Sequence, residues 1–243
     1  MLGDFKFYLR STGADLVGFA DIDPVPQKDR DGLPRAVSIA VALDPKIVSE
    51  IGLGPTREYW DEYRRVNDKL TLLAKNAADY LVREGYKAKA LLSTFEHLDP
   101  VSNTPVSYNP STLSTTLPHK TAATLSGLGW IGKCALLVTP QFGSAVRLTT
   151  ILTDAHLRID KPRRRSQCGT CTACVDACPG HAPSGRIWTW ASERQSFFDA
   201  YACRLAADRQ ARRVGIEDTI CGICINACPW TQRYLAKNLG PAA

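Results

Sequence analysis

Eight of the nine cysteines of this chain lie between Cys168 and Cys228, and only Cys134 stands apart. The run Cys168-x2-Cys171-x2-Cys174-x3-Cys178-Pro179 has the spacing by which one tight loop offers thiolates to three corners of a four-iron cubane. The fourth cysteine, followed by proline, leaves that loop and ligates the other cluster where two clusters are present. Paired Cys-x2-Cys also binds zinc, but zinc knuckles bring their pairs from separated hairpins, whereas this run packs four thiolates together. A disulfide framework belongs to small secreted scaffolds and does not suit a chain of 243 residues. Cys221-x2-Cys224-x3-Cys228-Pro229 repeats the motif without its first cysteine, and Cys203 upstream is the replacement. Crossing the ligands in ferredoxin fashion gives Cys168, Cys171, Cys174 and Cys228 for one 4Fe-4S cluster. Cys178, Cys203, Cys221 and Cys224 hold the other. Cys134 is expected to be a small apolar side chain leading a buried strand.

Charge follows the cysteines. Residues 1–157 carry 17 basic and 17 acidic groups; residues 158–243 carry 13 and 7, so the whole excess of +6 lies in the last third. Two clusters of roughly −2 each would offset about four of those charges. Arg163-Arg164-Arg165, just before the first ligand, remains a basic patch that nucleic acid could contact.

Gly127-Leu-Gly-Trp-Ile-Gly132-Lys133-Cys134 satisfies G-x-G-x-x-G and comes close to a phosphate loop. Both of those motifs need a strand before the glycines and a helix after them, so that helix amides can hold the phosphate. Here the pattern before is helical and the pattern after is strand-like, so neither nucleotide motif applies. What remains is a glycine turn at which backbone could approach a flat ligand, with Trp130 and Lys133 beside it, or a plain helix-to-strand turn.

The elements that must position these groups alternate through the first part. Residues 16–20 and 36–43 are short, apolar and β-branched, as buried strands are. Thr56 can cap a long helix whose stripe is Tyr59, Tyr63, Val66, Leu70, Leu73, Ala77 and Leu81, and Gly85 stops it. A strand over residues 87–93, a Pro- and Ser/Thr-rich loop over 99–118, a short helix near 119–126 and strands at 135–139 and 146–153 follow. Residues 158–165 form a basic linker. Composition (44% hydrophobic, 22% charged) is that of a globular protein. The start has no apolar signal-peptide core, and no apolar run reaches the ~20 residues of a membrane span, so a soluble, cytoplasmic chain with no membrane association is expected.

Gly127-Leu-Gly-Trp-Ile-Gly-Lys, then Gly143-Ser144, then the double cysteine motif ending Cys228-Pro-Trp230, resembles the epoxyqueuosine reductases, relatives of the reductive dehalogenases. The resemblance implies an α+β fold: a nitroreductase-like, cobalamin-binding-type domain over residues 1–160, and a ferredoxin-like double 4Fe-4S domain over 163–243 with a short C-terminal tail. It implies cobalamin beside Gly127, Gly129, Trp130, Gly132, Lys133 and Ser144. It also implies a tRNA-linked or other organic substrate, and a small donor such as ferredoxin or flavodoxin. The family's acidic proton donor stands in a Val-Asp-(Ser/Thr)-Gly/Ala-Pro stretch; here Leu113-Ser-Thr-Thr-Leu-Pro-His119-Lys120 takes its place, with no aspartate between Asp99 and Asp154. The family's C-terminal helical repeats do not follow before Ala243. Both departures imply a divergent relative.

His119 is then the first choice of proton donor, since imidazole titrates near neutral pH; Asp99 and Tyr108 are weaker choices, and a surface histidine is the plain alternative. Trp188 and Trp190 are expected to pack beside a cluster. The leading expectation is an iron–sulfur oxidoreductase that passes electrons to cobalamin. The rivals are a non-catalytic 4Fe-4S carrier or activator for a partner enzyme, and a flavin-dependent reductase.

Overall fold

The computed structural model describes residues 3–91 and 111–240. In chain order the elements are α1 (Phe5–Ser11), β1 (Leu16–Asp21), β2 (Arg35–Ala42), α2 (Pro45–Ser49), α3 (Arg57–Arg83), β3 (Ala88–Leu91) and α4 (His119–Leu125). There follow β4 (Trp130–Ile131), β5 (Leu137–Val138), β6 (Val146–Thr153), α5 (Ala173–Asp176), α6 (Ala200–Arg213), α7 (Ile223–Asn226) and α8 (Pro229–Leu239). This is a mixed α and β chain, with its strands in the first two thirds.

The described chain forms two compact units, interleaved in sequence. One is residues 1–41, 65–128 and 147–163; the other is 42–64, 129–146 and 164–243. The linear division at 160–163 therefore leaves out a crossing: residues 42–64 and 129–146 go with the cysteines. That assignment puts the glycine run after Leu128 in the cysteine unit.

The first unit is built on a sheet in the order β1-β2-β6-β3, with β1 antiparallel to β2 and β3 antiparallel to β6. Strands β1 and β2 are buried almost throughout, as their unbroken apolar runs require. Ala20, Ile22, Ala36, Leu117, Ala122, Leu125 and Leu152 close one core cluster between the sheet and α4. Gly18 is obligatory there, because a Cβ on it would overlap the Ser126 carbonyl oxygen. Val66, Leu70, Leu73, Ala77 and Leu81 of α3 are buried, as their three- and four-residue steps predict. Thr56 Oγ1 accepts the Tyr59 N–H at the start of that helix. Gly85, at φ +87°, ends it, with the Tyr86 N–H returning to the Leu81 carbonyl. Asp160 ties the linker to this unit: its carboxylate accepts from Lys6 Nζ (2.7 Å) and from the Phe19 N–H (2.8 Å).

The second unit is mostly helical. Helix α8 packs on α2, and α5 packs on α7. The Tyr234 hydroxyl donates to the Leu43 carbonyl (2.8 Å), and Asn226 Nδ2 donates to the Val48 carbonyl (2.8 Å). These bonds hold the last cysteine motif to the segment around α2. Among the described residues no helix is long and apolar enough to cross a membrane.

Candidate iron–sulfur centre

The two cysteine motifs fold alike. After Cys171, the amides of Val175 and Asp176 return to Thr172, Ala177 to Ala173 and Cys178 to Val175. After Cys221, the amides of Ile225 and Asn226 return to Gly222, Ala227 to Ile223 and Cys228 to Ile225. Each motif is thus one turn of helix, α5 or α7, carrying its middle cysteine, with the Cys-Pro cysteine leaving at the end. Gly222 (φ +89°) starts the second turn, where a Cβ would strike Ile51 and Tyr59. Pro229 then occupies the first turn of α8, where its missing N–H costs nothing. Cys203 comes from the first turn of α6, whose N-cap Asp199 accepts the amides of Tyr201 and Ala202 at 2.9 Å.

A cavity of about 250 Å³ is lined by Cys168, Cys171, Cys174 and Cys228, together with Gly132, Lys133, Cys134, Gln167, Trp230 and Arg233. The four sulfurs are the set obtained by crossing the two motifs, brought together from positions far apart in the chain. Electrostatics group the thiols the same way. Burial pushes the Cys228 thiol up, and Cys168 and Cys174 add to it; burial pushes Cys221 up, and Cys178 adds to it. Among the described residues no three His, Cys, Asp or Glu side chains converge on one point as a single metal ion requires. Four thiols around one cavity wall suit a cubane with an iron at each corner. The donor set fits a 4Fe-4S cluster.

Cys134 is more than a small apolar residue at a strand start. Its buried thiol lines this cavity, and Cys174 and Cys224, one from each set, both shift its ionisation. The contact with Cys134, then burial, drives the Cys174 thiol far up. The Cys134 thiol is itself raised well above the ordinary range: its bond with Cys174 pulls it down most, but the Cys224 contact and burial together outweigh that pull. A ninth cysteine directly after a buried lysine was the available signal, and its place next to Cys174 and Cys224 was not visible from spacing. Gln167 and Arg233 were also missed; Arg233 lies over the Trp230 ring at 4.5 Å.

The six residues expected around a corrin are engaged by the fold. A Cβ on Gly127 (φ +74°) would meet the Lys161 carbonyl at 2.6 Å, and one on Gly129 would overlap the Val138 carbonyl oxygen. Gly129 immediately precedes the β4–β5 hairpin, which pairs Trp130 with Val138 and Ile131 with Leu137 and which sequence periodicity did not reveal. Gly132 faces Val138, with the sulfurs of Cys134 and Cys168 at 3.5 and 3.7 Å from its Cβ position. Trp130 is fully buried and edge-on to Trp230 (5.1 Å), and its indole Nε1 has no acceptor among the described residues. Lys133 is 5% exposed and donates to the Cys171 carbonyl at 2.8 Å. The Ser144 amide donates to Thr231 Oγ1 at 3.1 Å. The Cβ directions of Gly127 and Gly129 are thus filled by the chain's own carbonyls.

Elsewhere, His119 begins α4, half-buried, with Nδ1 2.9 Å from Thr150 Oγ1. Asp99 and Tyr108 lie outside the described residues. Arg163, Arg164 and Arg165 are exposed, Trp188 is buried, and Trp190 is 37% exposed.

Comparison with known proteins agrees with this geometry. Residues 167–231 match the 4Fe-4S double cluster binding domain. An epoxyqueuosine reductase of Synechococcus sp. (strain CC9605) is 35% identical over 139 residues, which cover 53% of this chain and 40% of that protein. The match thus spans about two fifths of the length of that relative. A reductive dehalogenase structure described for B12-dependent dehalogenation superposes with a TM-score of 0.66 at 18% identity, covering 93% of this chain and 30% of that one. An epoxyqueuosine reductase solved with a tRNA-Tyr epoxyqueuosine-modified stem loop gives 0.59 at 20%, covering 94% and 64%. The resemblance read from the motifs is borne out: the chain is epoxyqueuosine reductase-like and carries a double-cluster domain.

Proposed function

We propose that this chain is an iron–sulfur reductase of the epoxyqueuosine reductase kind. Its electrons pass through two 4Fe-4S clusters, one held by Cys168, Cys171, Cys174 and Cys228 and the other by Cys178, Cys203, Cys221 and Cys224. The observation that carries this reading is the cavity that brings Cys228 of the second motif together with Cys168, Cys171 and Cys174 of the first. A small ferredoxin- or flavodoxin-type donor supplies the electrons, and an organic or tRNA-linked acceptor receives them. The stem-loop complex of the epoxyqueuosine reductase relative and the exposed Arg163–Arg165 run support a tRNA-linked acceptor. His119, anchored through Thr150, is the group we assign to proton delivery.

A nitroreductase-like, cobalamin-binding first part is the reading supported by the likeness to the B12-linked dehalogenase. At the glycine turn itself, the Cβ directions of Gly127 and Gly129 are filled by the chain's own carbonyls. The same observation favours a second reading, in which the chain is an electron carrier or activator for a partner enzyme.

Anaerobic reconstitution with iron and sulfide tests the proposal. About eight irons per chain are expected, with reducible clusters by electron paramagnetic resonance. About four irons, or stoichiometric zinc, would overturn it. Titration of the reconstituted protein with cobalamin and with flavin, followed by absorbance, then separates reductase from carrier: saturable binding of either favours the reductase, and binding of neither favours the carrier.

A further inference from the structure

Lys133 is a cation almost sealed from water. It is 5% exposed, and among the described residues its one hydrogen bond goes to the Cys171 carbonyl. Among the described residues no carboxylate lies within ion-pair reach of it. A buried ammonium that keeps its charge needs a counter-charge, because a single carbonyl replaces little of the lost hydration. Lys133 shares the cavity wall with Cys168, Cys171, Cys174 and Cys228.

We propose that Lys133 is the built-in counter-ion of the cluster held by Cys168, Cys171, Cys174 and Cys228, and sets that cluster's reduction potential. This rests on the two-cluster reading above. The sign follows from charge. A four-thiolate cluster carries roughly −2 when oxidised and gains one negative charge on reduction. A fixed cation beside it stabilises the reduced form more than the oxidised form, so Lys133 raises the potential. Lys133 acts through the field at the ligands and not as a ligand itself, which makes it a positioning and tuning residue. Gly132, just before it, is packed against the Val138 side chain, which a Cβ would meet at 2.9 Å, and the Lys133 side chain that follows lines the cavity wall.

The test is redox potentiometry of the reconstituted protein with dithionite as reductant, read by electron paramagnetic resonance. The signals are assigned by comparison with Cys203→Ala, which lacks the second cluster. Lys133→Gln keeps a donor for the Cys171 carbonyl but removes the charge; Lys133→Arg keeps the charge. With Gln, the first cluster's reduction equilibrium should fall about tenfold, about 59 mV to lower potential for one electron, while the second cluster moves less. With Arg it should stay near the wild-type value. An unchanged potential in the Gln variant at about eight irons overturns the inference and leaves the two-cluster reading standing. A wild type with about four irons overturns the reading itself. If the Gln variant does not assemble, Lys133→Met is read in the same way. Failure of Gln and Met with normal Arg supports a required buried cation, and failure of all three overturns it.

Discussion

The crossed ligand sets make a prediction in which iron, spectrum and stability must change together. Cys228→Ala, made with Cys134→Ser so that the neighbouring thiol cannot take the vacant corner, should lose the cluster that Cys174→Ala loses. Cys178→Ala should lose the other. Iron should fall from about eight to about four in each case. The cluster that Cys228 shares with Cys174 also ties two stretches of chain into a loop of roughly 55 residues. By the loop-closure relation for cross-links, that tie removes about 4 kcal/mol of unfolded-state entropy. In a chain of this size about 1 kcal/mol moves the melting midpoint by roughly 2–4 °C, so the variant should melt about 10 °C lower. The assays are iron and sulfide analysis, paramagnetic resonance of the dithionite-reduced protein, and thermal melting under argon. Should Cys228→Ala lose the same signal as Cys221→Ala while Cys174→Ala and Cys178→Ala pair together, the ligands are not crossed and the reasoning from the cavity fails.

Cys134→Ser alone should retain about eight irons, because the eight other cysteines complete both sets; iron analysis giving about four would make Cys134 a ligand. Gly129→Ala should destabilise the fold by roughly 1–3 kcal/mol or more, since its Cβ overlaps the rigid Val138 carbonyl; a melting midpoint equal to wild type would contradict the hairpin geometry. His119→Ala should slow turnover of the acceptor at least about tenfold, with iron content unchanged; equal turnover would remove it as proton donor. The thiols of Cys174, Cys221 and Cys228 lie above their ordinary range in the cluster-free fold, driven by the Cys134 contact in Cys174 and by burial in the other two. Folded values above unfolded ones mean stability that is complete below about pH 8.5 and is lost as pH rises through the folded values. Cluster-free protein should therefore melt progressively lower above about pH 9, and a midpoint flat to pH 10 would contradict the burial.

Much of this molecule is set by local pattern. The cysteine spacing gave two one-turn motifs and eight ligands, because a Cys-x2-Cys step and a following Cys-Pro restrict the chain whatever surrounds it. Strands β1, β2 and β6, the capped helix α3 and its stop at Gly85 were equally legible, since apolar periodicity, an N-cap and a positive φ are local requirements. Which sulfurs share a wall was settled by tertiary contact, as Cys228 reaches Cys168 and Cys174 only when the packing of α5 and α7 is in place. The glycine run shows the limit of sequence reasoning most clearly. Its three glycines announced that something approaches closely, but not whether that would be a ligand or the chain itself. The structure answers with the Lys161 and Val138 carbonyls. Glycine relieves steric overlap from any neighbour, so the sequence records the need for space and only the folded chain determines what fills it.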